Sequence, residues 1–306
     1  MALLEVCVDS VESAVAAQTA GAARVELCDA LVLGGVTPSI GKVRAVAAAV
    51  ARAAAAQGRA PLALHVLVRP RGGDFCYSGA ELETMRLDVR ALRRERAVRG
   101  VVLGALAPDG SVDEPATRAL LRAARPRLSV TFHRAVDAAR DPLEALRACL
   151  ALRVDRVLSS GHAATAPLGA AVLAQMVRLA AESAEMDRAA AASAASGGDG
   201  GGGSSRGGNG GGDGGGSGSR TPLVVMAGGG VTASNVAALV ASTGVREVHG
   251  SARVRLDGRM RFRPPPEKIV YMGSELRLEP EAEFGLRQAT EESVRAFVNA
   301  LAIRRK

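Results

Sequence analysis

Two tetrads of one pattern open the chain, Leu4-Glu5-Val6-Cys7 and Val25-Glu26-Leu27-Cys28. In a strand successive side chains point to opposite faces, so each Glu shares a face with its Cys. Such a set could bind a soft metal through thiolates, move protons through carboxylates, or exchange a disulfide. The same parity applied further along adds His65 and Arg69, Thr131 and His133, and Glu247, His249 and Ser251. Leu64, Val66, Val68, Val130, Phe132 and Val248 take the opposite face, as residues covered by helices would. The enclosed face is therefore expected to hold Glu5, Cys7, Glu26, Cys28, His65, Arg69, His133, Glu247 and His249. Burying that many ionisable groups is costly unless they pair, bind a ligand or meet water. The structural alternative is an ion network of Glu5 or Glu26 with Arg69.

The elements that must position these residues follow from periodicity. Strand-like runs fall at Leu3–Val8, Arg24–Cys28, Leu62–Arg69, Gly100–Gly104, Leu128–His133, Arg156–Ser159, Leu223–Ala227 and Glu247–Ser251. Between them lie helical patterns, at Val11–Ala20, Gly41–Ala56, Glu81–Arg96, Glu114–Arg125, Pro142–Leu150 and Leu168–Ala181. Alternating strands and helices imply right-handed crossovers and a parallel sheet, and eight units predict an α/β fold of one closed (β/α)8 TIM-type barrel over residues 1–306. An open doubly wound sheet is the alternative. The Gly- and Ser-rich stretch 193–220 cannot bury enough apolar area to offset chain entropy and reads as a disordered insertion between the sixth helix and seventh strand. Residues 252–290 read as a long irregular loop before a last helix, Glu291–Leu301.

Composition narrows the function classes. Hydrophobic residues make up 48% and aromatic residues 2%, so Ala, Val and Leu must build the core. The net charge of +8 comes almost entirely from scattered Arg, without the aromatic stacking platforms that grip single strands, which argues against nucleic acid. No apolar run approaches the roughly 20 residues of a membrane span. The first strand starts too early to leave room for a signal peptide, and four Cys without close pairing suit reduced thiols, so a cytoplasmic protein is expected.

Most of the enclosed polar residues fall late in their strands, toward the face where barrel proteins place their sites. Gly228-Gly229-Gly230 follows the seventh strand and Ser251 closes the eighth, where backbone N–H groups of such barrels cradle phosphate; a plain tight turn is the alternative. Arg69-Pro70-Arg71-Gly72-Gly73-Asp74 adds two guanidinium groups, with Arg71 and Asp74 able to brace their own loop. His133 with Asp137 offers an imidazole near a carboxylate. An enzyme acting on a small phosphorylated or carboxylated substrate would use Glu5, Glu26, Arg69, His133 and His249 as catalytic candidates, with Gly228, Gly229, Gly230 and Ser251 holding the anion. The thiols alone would support a redox pair, since adjacent strands suit the Cα separation of a disulfide, about 5.5 Å.

Several stretches together resemble the CutC family of copper homeostasis proteins: Glu5-Val6-Cys7-Val8-Asp9-Ser10, Arg24-Val25-Glu26-Leu27-Cys28, Gly34-Gly35-Val36-Thr37-Pro38-Ser39, Arg69 to Phe75, Val130 to Ala135, Arg156-Val157-Leu158 with Ser160-Gly161, and Gly228-Gly229-Gly230. The match runs in order through Leu3 to Ser251 and leaves out the Gly-rich stretch. Leu33 stands where the family often has an acidic residue, and Gly250 where many members carry Cys or Ser. The resemblance implies a self-associating TIM barrel that handles intracellular copper, with Cys7 and Cys28 as Cu(I) ligands. Cys76 and Cys149 fall outside that set and read as structural or incidental.

Overall fold

A computed structural model describes residues 2–196, 221–265, 268 and 284–302. Eight strands form a closed barrel in sequence order: β1 (Leu3–Val8), β2 (Arg24–Leu27), β3 (Ala63–Leu67), β4 (Val98–Leu103), β5 (Ser129–Phe132), β6 (Arg156–Ser159), β7 (Val224–Gly228) and β8 (Glu247–Gly250). All neighbours are parallel, and β8 closes the ring on β1 with Glu5 beside His249. The predicted barrel is thus the observed fold, with strand ends shifted by at most two residues.

Helices α1 (Val11–Ala20), α2 (Ile40–Ala56), α3 (Gly79–Arg94), α4 (Glu114–Ala124), α5 (Pro142–Ala151), α6 (Ala170–Ser196), α7 (Val236–Thr243) and α8 (Glu291–Ala302) form the outer layer. Local chemistry sets their ends. Ser10 caps α1 by accepting from the Ser13 N–H, and Gly21 ends it at φ 93°, a conformation that costs glycine nothing. Ser78 and Glu81 form a capping box on α3, and Asp141 caps α5 just before Pro142. Outward strand residues such as Val6, Leu27, Val66, Leu103 and Phe132 are buried against the helices in one continuous core.

Two sequence expectations differ in detail. Helix α6 runs on to Ser196, so the first four residues of the predicted insertion are helical; the remainder of it, 197–220, lies outside the described residues. Within 252–290, expected to be irregular, β9 (Arg253–Asp257) and β10 (Gly285–Ala289) pair as an antiparallel ribbon. The alternation in Arg-Val-Arg-Leu-Asp carries that strand signal, which the Arg and Pro content of the region obscured.

Candidate functional site

The barrel interior separates into two levels. At the lower level Arg24 reaches from β2 to pair with Glu5 on β1 and, at 2.5 Å, with Glu247 on β8. Arg156 on β6 meets Glu247 with Nε at 2.5 Å and Nη2 at 3.1 Å, and donates to Thr131 Oγ1 at 3.3 Å. Two carboxylates face two guanidinium groups, and each carboxylate is held ionised. Burial opposes this for Glu5, but the Arg24 charge and the His249 hydrogen bond hold its carboxyl well below the usual range. Burial likewise opposes ionisation of Glu247, and Arg156 and Arg24 overcome it.

The ion network weighed from sequence therefore exists, but its cations are Arg24 and Arg156, not Arg69. Sequence reasoning missed both, although Arg24 has the same strand parity as Glu26 and Cys28. Arg69 is buried beyond the end of β3 and is committed elsewhere: it donates to the carbonyls of Leu33, Gly35 and Gly73 and lies over the Phe75 ring. It ties the loops after β2 and β3 together. Arg71 pairs with Asp74 and Glu81, bracing its loop as expected.

Above the network the thiols meet. Cys7 Sγ and Cys28 Sγ are 3.8 Å apart, and both side chains are buried with Leu67 and Val102 under Leu31. The strand register sets Cys7 beside Glu26, with Cys28 just past the end of β2, so the sulfurs converge across an offset of two residues. His249 joins them from β8. Its Nδ1 lies 2.7 Å from Glu5 Oε1 and its Nε2 lies 3.6 Å from Glu26 Oε2. Cys7, Glu26 and Cys28 have donor atoms mutually within 4.8 Å, as do Glu5, Glu26 and His249.

Electrostatics set these groups apart. The Cys7 thiol is lowered to about 5, chiefly by the hydrogen bond from Cys28, with burial opposing and His249 assisting. Cys28 is pushed up because it keeps its proton as the donor and is buried. Burial and the neighbouring Cys7 charge raise Glu26, whereas His249 is raised against burial by contact with Cys7 and Glu5. One thiol is thus poised as a thiolate beside an imidazolium, the form in which sulfur binds metal or attacks as a nucleophile.

The remaining candidates lie apart from this cluster. His133 caps the turn after β5, its Nδ1 accepting from the Ala135 N–H at 3.2 Å while Nε2 has no partner. Asp137 does not pair with it. That carboxylate instead accepts from the Ser159 hydroxyl at 2.6 Å, from the Ser160 N–H and hydroxyl, and from the Arg134 guanidinium. His65 lies inside between β2 and β4, where Gly100 makes room: a Cβ at Gly100 would sit 2.7 Å from its ring. Burial lowers both His65 and His133 to about 3, so each is neutral.

Gly228 ends β7, where a side chain would strike Leu158; Gly229 and Gly230 follow at φ 97° and 66°. The Arg134 guanidinium and Ser160 stand beside Gly229, a basic contact sequence reasoning did not assign. Ser251 follows β8 half-buried. The first turn of α8, tied to Ala252 through Ser293, carries Glu291 and Glu292, the charge a helix N-terminus offers a phosphate least readily.

Fold and site together define a (β/α)8 barrel with a buried thiol, carboxylate and imidazole cluster toward the C-terminal ends of its first, second and eighth strands. The CutC family model matches residues 2–194 and 217–254, and the chain belongs to that family. A CutC family protein of Chromobacterium violaceum is 41% identical over 261 residues, 85% of each chain. One of Parabacteroides distasonis is 34% identical over 97% of this chain and 99% of its own. Among solved structures, the Streptococcus agalactiae CutC, whose name assigns it provisionally to copper homeostasis, matches with a TM-score of 0.63 and 26% identity, covering 82% of this chain and 99% of its own. A Rubisco-like protein of Rhodopseudomonas palustris, covering 100% of this chain and 66% of its own, shares the fold at a TM-score of 0.54 and 17% identity.

Proposed function

We propose that this protein binds copper as Cu(I) through Cys7 and Cys28 and serves copper homeostasis in the cytoplasm, where thiols stay reduced. The observation that carries the reading is the convergence of the two sulfurs at 3.8 Å, with Cys7 drawn toward the thiolate form. Cu(I) is soft and favours thiolate over oxygen donors. The dry wall of Leu67, Val102 and Leu31 limits water at the sulfurs. Family membership supports the same reading through the name of its solved relative.

The cluster performs this role by displacement. Cys7 supplies a ready ligand, and an arriving ion displaces the Cys28 proton to solvent. Anaerobic Cu(I) titration against a chromophoric chelator tests the reading: one ion is expected per wild-type chain. Unchanged stoichiometry and affinity in both Cys7→Ser and Cys28→Ser would sink the two-thiol site.

One observation favours a second reading, an enzyme acting on a small phosphorylated or carboxylated substrate. His133 Nε2 and His65 Nδ1 are buried polar atoms without partners, as groups awaiting a ligand would be. A metabolite retained through purification and lost in His133→Gln would support it. Inorganic phosphate failing to protect the protein thermally would count against the anion loop of Gly228 to Gly230 with Ser251.

A further inference from the structure

The donors around the thiols include two that a soft monovalent ion does not require. We infer that Cys7, Cys28, Glu26 and His249 form a four-donor tetrahedral site for a borderline divalent cation of the zinc class. This rests on the proposal that the two thiols ligate metal, and adds the geometry and the class of ion.

Spacing is the first argument. Two sulfurs each about 2.3 Å from a tetrahedral ion lie about 3.8 Å apart, whereas a linear ion at the same bond length would hold them about 4.6 Å apart. The observed separation is 3.8 Å. An imidazole nitrogen and a carboxylate oxygen on a tetrahedral zinc ion lie about 3.4 Å apart. His249 Nε2 and Glu26 Oε2 are 3.6 Å apart. Each pair has the spacing of two ligands on a tetrahedral ion, and the two pairs belong to donor groups joined at Glu26.

The surrounding residues are the second argument. A metal-bound histidine commonly donates its other ring N–H to a carboxylate, which fixes the tautomer and aims the free nitrogen. Glu5 stands at Nδ1 of His249 in that role, 2.7 Å away, and is itself held by Arg24. Glu5 is therefore a positioning residue and not a ligand, and Glu26 is the carboxylate left to coordinate. Glu26 links the two donor groups, lying within 4.8 Å of both thiols in one and of His249 in the other.

Charge is the third. Once a bound ion has displaced the protons of Cys28, Glu26 and His249, the buried donor set carries three negative charges, which a divalent ion offsets better than a monovalent one. Mixed sulfur, nitrogen and oxygen ligands in tetrahedral array suit Zn(II), and Co(II) reports the same geometry optically.

The test uses the reduced full chain without oxygen, titrated separately with Zn(II), Co(II) and Cu(I). One Zn(II) per chain is expected, and Co(II) should show the intense visible bands of tetrahedral coordination with thiolate charge transfer. Glu26→Gln should weaken Zn(II) binding by about a hundredfold or more while changing Cu(I) affinity less than about threefold, and His249→Gln should weaken Zn(II) binding by a similar factor. Circular dichroism checks that each variant is folded; if one is not, the wild-type cobalt spectrum and the other variant decide. Cu(I) binding without Zn(II) binding, weak octahedral cobalt bands, or Zn(II) affinity unchanged in the folded variants overturns the four-donor site and leaves the copper reading standing. Loss of neither ion in Cys7→Ser and Cys28→Ser overturns both.

Discussion

Two levels of one barrel interior bury comparable numbers of ionisable side chains and treat them differently. The lower level, Arg24 and Arg156 with Glu5 and Glu247, is closed: each carboxylate meets a guanidinium. The upper level, Cys7, Cys28, Glu26 and His249, is open: its donors fall in two overlapping groups that share Glu26. Barrels of this size usually fill their interior with branched apolar residues. Here a balanced ion network replaces part of that filling and becomes the floor on which the open cluster stands. Glu5 joins the levels, since it accepts from Arg24 below and holds His249 above.

If the lower level is structural, breaking it should cost the most. Arg24→Ala leaves Glu5 and Glu247 buried and short of a partner, a class of change that costs about 3–5 kcal/mol. Urea denaturation is expected to show a loss of that size or a failure to accumulate folded protein; a loss under about 1 kcal/mol would mean the network is not what supports the barrel.

The upper level should respond in the opposite sense, through ligand and not fold. Cys7→Ala and Cys28→Ala are expected to lower Cu(I) affinity by at least about a hundredfold, which is about 2.7 kcal/mol. Each should cost less stability than Arg24→Ala, because a buried thiol behaves as a small hydrophobe. Equal stability losses in the two sets would erase the distinction between levels.

Gly100 sharpens the comparison from the steric side. A Cβ there would lie 2.5 Å from Ser129 Oγ and 2.7 Å from the His65 ring, so Gly100→Ala should displace His65 and cost about 1–3 kcal/mol. Cu(I) affinity should not follow, because neither thiol borders that position. A melting curve and a copper titration on the same sample check both halves.

Acid sensitivity separates the buried groups further. His65 and His133 are lowered from the ordinary 6.5 to about 3, first by burial, so the unfolded chain binds protons that the folded chain refuses between those values. Their contribution is present above about pH 6.5 and is lost as pH falls toward 3, by at most about 1.4 kcal/mol per pH unit for each group. His249 has the opposite sign: raised in the fold, its contribution is lost as pH rises through its folded value. Urea midpoints for His133→Gln should therefore fall less steeply than wild type between pH 6.5 and 4, the glutamine carbonyl keeping the bond from the Ala135 N–H. An unchanged slope would mean that His133 does not stay neutral in the fold.

Much of the fold was legible because period-two and helical patterns alternate strictly. Val11–Ala20, Leu3–Val8 and Arg156–Ser159 came out residue for residue. Parity was also enough to put Glu5, Glu26, His65, Glu247 and His249 on the enclosed face, where all but the slightly more open His249 are buried. Parity failed where side-chain length decides. Arg69 has the right face, yet its long side chain turns to three loop carbonyls, and Arg24 became the partner of Glu5 instead. Asp137 is near His133 in sequence, but the turn between them sends its carboxylate to Ser159 and Ser160.

The sequence by itself determined the barrel and most of the inward set, because these depend on residue type and on a local period that each strand carries alone, while the resemblance to a known family singled out Cys7 and Cys28 as the copper candidates. The tertiary structure decided which inward groups meet. Barrel closure brings β8 against β1, and with it His249 to Glu5 and Glu26, residues more than two hundred positions apart in the chain. That contact depends on register and side-chain reach across a closed ring, a long-range property that no single strand encodes.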